Sequence, residues 1–187
     1  MTSIRRLVLG RLTITHMLQK TLMIIRPEHS RDIEKIRALI TEAFDGAAHS
    51  DGTEGDIVDA LRQGGALTVS LVAEHNGEIV GHVAFSPVQI DGEEHGWYGL
   101  GPVAVRPEEQ RQGVGRRLIE AGLAEIKSLG AAGCVVLGDP GYYSRFGFKA
   151  DPALCFPGVP QAYFQRLDLE PNDLQGIVVY HQAFYGA

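Results

Sequence analysis

Hydrophobic residues in the N-terminal half of the chain follow a helical spacing first and a strand-like spacing afterwards. Apolar side chains recur every three or four positions from about residue 30 to 44, which predicts an amphipathic helix; they are Ile33, Ile36, Ile40 and Phe44. A second, shorter helix is expected over residues 53–63. Two β-rich runs, 66–75 and 78–85, flank Asn76-Gly77, a dipeptide that tolerates positive φ at both turn positions, and this pattern predicts an antiparallel hairpin.

The C-terminal half alternates strands with helices. A third antiparallel strand is expected over 97–105, and Pro107 should end it. An apolar stripe over 113–129 and a short buried run at 134–137 predict a strand, helix and strand crossover. Smaller elements complete the pattern. A first strand is expected at 21–26, and closing strands at 162–169 and 176–180. A short helix is expected through Tyr143, with Asp139 as its N-cap and Pro140 at its first position. The prediction is one α/β domain over 21–187, an α+β mixed sheet that is mostly antiparallel and flanked by helices.

The first 20 residues do not fit that domain. They are basic and contain no acidic residue, yet their apolar run, Leu7 to Leu9, is cut by Gly10 and Arg11. A membrane span needs about 18 apolar residues, so neither a span nor a secretion signal is expected. We interpret residues 1–20 as an N-terminal extension outside the fold.

Charge and cysteine usage exclude several classes of partner. A net charge of −6 over 187 residues gives no general attraction to nucleic acid or to anionic lipid. The two cysteines, Cys134 and Cys155, lack the spacing of metal ligands, so no metal site is expected and both are interpreted as reduced thiols of a cytoplasmic protein.

The segment Gln110–Arg117 carries the most specific chemical signal. It follows the strand that ends at Val105, contains Gly113 and Gly115, and opens the helix over 113–129. Glycine lets a ligand approach the backbone closely, and the first amides of a helix lack carbonyl partners within it. Such a turn favours an anion, and a pyrophosphate fits it.

Other interpretations of the glycines are weaker. Residues 99–104 match G-x-G-x-x-A, the dinucleotide fingerprint, but that motif must open a helix, whereas a β-type run follows here. A nucleoside-triphosphate loop would need Gly-Lys-Ser/Thr, which is absent. A strand-to-helix turn that binds no ligand stays open as an alternative.

A second motif covers residues 137–148, Leu-Gly-Asp-Pro-Gly-Tyr-Tyr-Ser-Arg-Phe-Gly-Phe. Together with the [Gln/Arg]-x-x-Gly-x-Gly spacing after Val-x-Val, it resembles the signatures of the GNAT N-acetyltransferase superfamily. The resemblance runs from about residue 23 to the C-terminus. It is greatest to the bacterial branch of predicted acetyltransferases with Gly-Asp-Pro-x-Tyr-Tyr.

The resemblance implies a GNAT fold whose sheet is splayed at the cofactor site. It also implies that backbone groups of Val103, Ala104 and Val105 pair with the pantetheine arm of acetyl-CoA. The pyrophosphate would then be held by the loop residues, namely Arg111, Gln112, Gly113, Val114, Gly115 and Arg116. Tyr143, four residues before Gly147-Phe148, would lie beside the thioester sulfur as the acid.

Two departures from the family pattern affect these assignments. Many members carry arginine where this chain has Gln110, so the positive charge must come from Arg111, Arg116 or Arg117. Many members also carry asparagine at the head of the later helix, where this chain has Asp139 followed by proline. An asparagine contact to acetyl-CoA is therefore not expected.

The implied function is transfer of an acetyl group from acetyl-CoA to a primary amine of a small molecule or protein, by direct attack in a ternary complex. A non-catalytic acyl-CoA-binding sensor is the alternative. The residues do not identify the general base; the candidates are His82, Glu74, Glu93, Glu94, His95 and His181. Acceptor specificity is expected from residues 44–59, 91–96 and 152–163. A homodimer through the final strands is a suggestion at the level of the family.

Overall fold

The computed structural model describes residues 23–46, 50 and 52–186. The extension expected over 1–20 lies outside the described residues, as does the start of the strand expected at 21–26, whose remainder is β1 (Ile24–Pro27). Within the described ranges, no helix is long and apolar enough to cross a membrane.

The helices follow the predicted order. The described residues form α1 (Ile33–Phe44), α2 (Glu54–Gln63), α3 (Val114–Ser128) and the short α4 (Pro140–Tyr143). A 3-10 turn at Ser30–Asp32 precedes α1, so the helix expected from residue 30 begins slightly later. The predicted N-cap of α4 is present, because the Asp139 carboxylate accepts a hydrogen bond from the Gly141 amide at 2.9 Å.

One sheet holds most of the strands. They are β2 (Val69–His75), β3 (Glu78–Ile90), β4 (Glu93–Val105), β5 (Gly133–Leu137), β6 (Leu154–Cys155), β7 (Phe164–Asp168) and β8 (Gly176–Val179). The order is β1-β2-β3-β4-β5-β7, and β8 pairs with the end of β3 and with β6. Along the main path only β4 and β5 run parallel, which confirms the predicted mixed, mostly antiparallel α/β fold.

The two central strands are longer than the sequence predicted. Strand β3 continues to Ile90 and β4 begins at Glu93, joined by a turn in which Asp91 and Gly92 both have positive φ. Their pairing shifts register at two places, between Val83 and Phe85 and between Val88 and Gln89. These irregularities break the alternation of apolar and polar residues, which explains why the pattern marked only parts of each strand.

The sheet divides after Gly99. Strand β4 pairs with β5 through three residues, the last of which is Gly99 opposite Val135. Beyond that point β4 keeps β3 as its neighbour, while β5 continues along β7 as far as Leu137. Among the described residues, the edge of β4 from Leu100 to Val105 therefore has no strand on its β5 side.

Helices cover both faces of the sheet. On one face α3 buries Leu118, Ile119 and Ile126 against β3 and β5, and on the other α1 and α2 bury Ile36 and Val58. Helix α3 packs tightly on β3 at Gly122: a Cβ there would lie 2.1 Å from Cε2 of Phe85. The Phe85 ring therefore occupies the space that a side chain at Gly122 would need.

We expect Gly122→Ala to destabilise the protein by about 1–3 kcal/mol, because the added methyl group overpacks against Phe85. The matched control is Gly55→Ala, also within a helix, where the nearest atom would be Arg37 Cγ at 3.6 Å. That change should be neutral or stabilising by up to about 1 kcal/mol. Urea unfolding of both variants measures the difference, and equal midpoints would contradict the packing argument.

Candidate active site

A cavity of about 680 Å³ opens where the sheet divides. Its walls come from three segments that the sequence analysis had singled out: the end of β4, the glycine loop with the start of α3, and α4 with the turn after it. The lining residues are Val103, Val105, Gln110, Arg111, Gly113, Val114, Gly115, Arg116, Tyr142, Tyr143 and Arg145.

The end of β4 presents its backbone to this cavity through alternate residues. The Arg106 amide donates to the Val80 carbonyl, so the backbone N–H and C=O groups of Arg106 point toward β3. Because these groups alternate in direction along a strand, those of Ala104 also point toward β3. Val103 and Val105 then face the free edge. The Val105 carbonyl already accepts a hydrogen bond from the Gln110 side-chain amide at 3.1 Å.

The glycine loop exposes a row of backbone donors. Within the described part of the chain, no N–H group from residue 111 to 116 donates a hydrogen bond to another protein group. Arg111 (φ 60°) and Gly113 (φ 85°) adopt left-handed conformations on either side of Gln112. Successive amides in such a turn point to one side and form a concave site for an anion. The start of α3 adds the positive end of its dipole.

Glycine is required in this loop for two different reasons. Gly113 has a left-handed backbone with open space around it, so its constraint is conformational. At Gly115 the constraint is contact: a Cβ would lie 3.2 Å from the hydroxyl oxygen of Tyr142. Tyr142 therefore lies directly against the first turn of α3.

Two arginines supply positive charge to the cavity without a carboxylate partner in the described part of the chain to neutralise it. Arg111 has no ion pair among the described residues. The Arg145 guanidinium lies 4.5 Å from the centre of the Tyr142 ring, and its Nε donates to the Tyr142 carbonyl at 2.8 Å. Arg116 is partly neutralised, because it pairs with Glu120 at 2.7 Å. Arg117 lies outside the cavity lining and donates to the Met23 carbonyl at 3.0 Å.

Tyr143 lies at the inner end of the cavity. Its ring packs on Gly138, where a Cβ would be 2.3 Å from Tyr143 Cε2, and against Phe148 at a centroid distance of 5.9 Å. Burial raises the pKa of the Tyr143 hydroxyl, and Tyr142 and Cys134 add to the rise. The hydroxyl therefore stays protonated at neutral pH and can donate a hydrogen bond or a proton.

Two residues implied by the family resemblance do not line the cavity. The Ala104 side chain is buried on the α1 face, and its backbone faces β3. The Gln112 side chain turns back and donates to the Glu108 carbonyl at 2.8 Å. Only the backbone amide of Gln112 is left to contribute.

The base candidates lie away from this cavity. His82 is fully buried beneath α1 and α2, with Nε2 2.8 Å from Ser70 Oγ. Glu74 forms an ion pair with Arg26 at 2.8 Å. Glu94 and His181 line a second cavity, on the face of the sheet that carries α2. Glu93 and His95 are exposed.

Arg145 and Tyr142 are functional candidates that the sequence analysis did not assign. Both lie within the Gly-Asp-Pro-x-Tyr-Tyr motif or just after it, so their proximity to the loop was foreseeable once that motif was placed beside α3. The contact itself depends on Gly115, which allows the Tyr142 hydroxyl to approach.

A sheet that divides beside a glycine loop at the head of a helix is the arrangement expected of a GNAT-type acyltransferase. A family model for the acetyltransferase (GNAT) domain matches residues 67–150. The chain is 40% identical over 169 residues to "Uncharacterized N-acetyltransferase YhbS" of Escherichia coli K12, covering 87% of this chain and 98% of YhbS. The chain belongs to the GNAT acetyltransferase family and is an acyltransferase.

Solved structures agree with this assignment. A GNAT family acetyltransferase from Brucella melitensis, in complex with acetyl-CoA, is 52% identical with a TM-score of 0.79, covering 88% of this chain and 99% of that one. The structure of YhbS from Escherichia coli in complex with CoA superposes with a TM-score of 0.81 at 36% identity, covering 88% and 93% of the two chains.

His82 makes stability depend on pH. Burial lowers the pKa of its imidazole from 6.5 to about 4, although the nearby Glu28 carboxylate opposes the change and Arg62 reinforces it. In the unfolded chain the imidazole binds a proton below pH 6.5, whereas in the folded protein it stays neutral until the pH approaches 4. The free energy of unfolding should therefore fall by up to about 3 kcal/mol as the pH drops from 6.5 to 4.

Urea unfolding of the wild type and of His82→Gln across pH 4–8 measures this contribution. The variant should lose part of the slope between pH 4 and 6.5, while the two profiles run parallel above pH 7. If the variant is too unstable to analyse, NMR titration of His82 in the wild type gives the pKa directly. A midpoint near 6.5 would contradict the structural argument.

Proposed function

We propose that the chain transfers the acetyl group of acetyl-CoA to a primary amine, by direct attack within a ternary complex. The observation that carries the proposal is a row of backbone N–H groups, from residue 111 to 116, that have no acceptor among the described residues. They lie in a cavity beside the divided sheet. A diphosphate needs such donors, and an extended thioester arm needs an unpaired strand edge. The complexes of the two related proteins with acetyl-CoA and CoA support the same ligand.

The residues of the cavity fit each part of acetyl-CoA. The loop amides and the guanidinium groups of Arg111 and Arg145 would hold phosphate oxygens. Backbone groups of Val103 and Val105 would bond the pantetheine arm, with the Gln110 amide giving up its bond to the Val105 carbonyl. Bringing both reactants into one groove supplies the largest share of rate enhancement, which in favourable systems is worth about 7–11 kcal/mol.

Acetyl-CoA supplies a thioester whose carbonyl carbon accepts the amine lone pair. The new C–N bond forms, the C–S bond breaks, and the nitrogen releases one proton to solvent or to a base. We assign Tyr143 as the acid that donates its hydroxyl proton to the departing sulfur and is afterwards reprotonated from solvent. Its buried position keeps that proton in place until a thiolate develops nearby.

Loss of either of the two cavity arginines that form no ion pair with a described residue should weaken CoA binding. For Arg111→Ala and Arg145→Ala we expect the dissociation constant to rise about tenfold, because each removes a charge-assisted phosphate contact. The effect should shrink at high salt. Arg117→Ala is the control, since Arg117 contacts the Met23 carbonyl outside the cavity. Calorimetry with CoA measures all three; equal weakening by Arg117→Ala would argue against the proposed phosphate site.

Thiol release separates an enzyme from a binding module. With acetyl-CoA and a panel of primary amines, the wild type should release free CoA above the background rate, whereas a sensor would bind acetyl-CoA without release. Tyr143→Phe should lower turnover by about 10²–10⁴ while CoA affinity stays within twofold. The control is Tyr98→Phe, which removes the hydroxyl of a half-buried tyrosine that lines neither cavity. Undiminished turnover in Tyr143→Phe would remove the acid assignment.

Assembly and cellular compartment are further proposals. The exposed Ile177 and Val179 on β8 support a homodimer through the final strands, which a solution mass measurement tests. Two cysteines without a disulfide support a cytoplasmic location, which cell fractionation tests.

A further inference from the structure

A second cavity, of about 700 Å³, lies on the opposite side of the divided sheet from the glycine loop. Its walls are the C-terminal end of α2, the far ends of β3 and β4, and the segment from Val179 to Tyr185. We call it the acceptor cavity. None of the three segments belongs to the glycine loop or to α4, so this cavity is separate from the one proposed for acetyl-CoA.

Tyr180 forms the inner wall of the acceptor cavity and reaches the point where the sheet divides. Its ring lies on Gly99, the last residue of β4 that pairs with β5; a Cβ on Gly99 would be 2.5 Å from Tyr180 Cε1. Burial raises the pKa of the Tyr180 hydroxyl, and Cys134, Tyr185 and Tyr143 lie close enough to add to the rise. Tyr180 packs in the cluster on this face of the sheet, whereas the proposed acid, Tyr143, packs in the cluster on the α3 face.

The Tyr180 hydroxyl is buried and has no hydrogen-bond partner among the described residues. The Ser86 hydroxyl is also buried without a partner among the described residues. Ser86 lies on β3 and pairs with Gly99 on β4. Alternation along β3 puts Ser86 on the same face as Ala84 and Val88, which is the face that carries Tyr180. Buried hydroxyls are almost always hydrogen-bonded, so two unpaired ones at the division of the sheet indicate a place for a polar ligand group.

The charge of the acceptor cavity favours a cation. Among the described residues that line it, Glu94 contributes a carboxylate and none is lysine or arginine. Gly64 and Gly65, at the C-terminal end of α2, place the negative end of that helix's dipole at the wall. The exposed ring of Tyr185 adds an aromatic surface that suits an ammonium group.

We propose that the acceptor cavity binds an aliphatic primary amine that also carries a positively charged group, such as an ammonium, away from the reacting nitrogen. Tyr180 is the positioning residue: its hydroxyl oxygen accepts a hydrogen bond from an N–H of the neutral reacting amine and turns the lone pair toward the thioester. Glu94 attracts the distant ammonium group. This inference rests on the proposed acetyl transfer and adds its substrate class.

Two probes of equal length test the substrate class. Both 1,8-diaminooctane and 8-aminooctanoate offer the same reacting amine, but their far ends carry opposite charges. The wild type should acetylate the diamine with a kcat/KM at least tenfold higher. Glu94→Gln should reduce that preference several-fold through the KM of the diamine. Equal acetylation of the two probes, or preference for 8-aminooctanoate, would overturn the assignment.

Tyr180→Phe tests the positioning role, because the ring stays on Gly99 and only the hydroxyl is lost. We expect kcat/KM for 1,8-diaminooctane to fall by 10- to 100-fold. CoA affinity and the slow hydrolysis of acetyl-CoA without amine should stay within twofold, which a general structural defect would not allow. The matched control is Tyr98→Phe, because Tyr98 lines neither cavity. A kcat/KM within twofold of the wild type would refute the role of Tyr180.

The outcomes distinguish this inference from the proposed function. If the wild type acetylates n-butylamine but neither eight-carbon probe, acetyl transfer stands and the acceptor cavity is wrongly assigned. If no amine is acetylated while CoA binds, the proposed function itself fails and this inference fails with it.

Discussion

The separation of β4 from β5 after Gly99 is the constraint on which the rest of the site depends. Parallel pairing stops after three residues, so peptide groups at Val103 and Val105 are left without a neighbouring strand on one side. Buried peptide groups need partners, and an unpaired edge inside a protein is tolerated only where something else can bond to it. The loop, α4 and the aromatic cluster of Tyr142, Tyr143 and Phe148 all surround this gap.

The divided sheet also explains why two chemically different cavities can cooperate. One has free amides and arginines and suits phosphate; the other has a carboxylate, aromatic rings and no lysine or arginine in its described lining. Elsewhere the sheet separates them with packed side chains. At Gly99 β4 carries no side chain, and the Tyr180 ring lies directly on its backbone. Opposite charges can thus be kept apart while the reacting groups meet.

Local patterns made much of this arrangement predictable. The glycine loop, the Asn76-Gly77 turn and the Asp139 cap depend on residues adjacent in sequence, and all three appear where expected. Features that depend on distant partners were not foreseen. The register shifts of β3 and β4 lengthened both strands beyond the apolar pattern, and β6 is too short to give a pattern.

For individual site residues too, what depends on distant partners or on strand and helix geometry was not foreseen. Ala104 was grouped with its neighbours from the resemblance, but strand alternation turns its backbone away from the cavity. Arg117 shares the charge of Arg116, yet helical geometry directs it to the Met23 carbonyl. Tyr180 lay within a predicted strand, but its role could not be inferred. Its position on Gly99 depends on the pairing of β8 with β3, where Val179 meets Gln89 from about half the chain away.

The bond between the Gln110 amide and the Val105 carbonyl has a consequence for solubility. An unpaired strand edge is a template that recruits strands from other molecules, and natural proteins protect such edges. A neutral side chain from the adjacent loop covers one acceptor on this edge and can swing away without breaking an ion pair. Because both partners are neutral, this protection is reversible: the glutamine can release the edge to a ligand and cover it again afterwards.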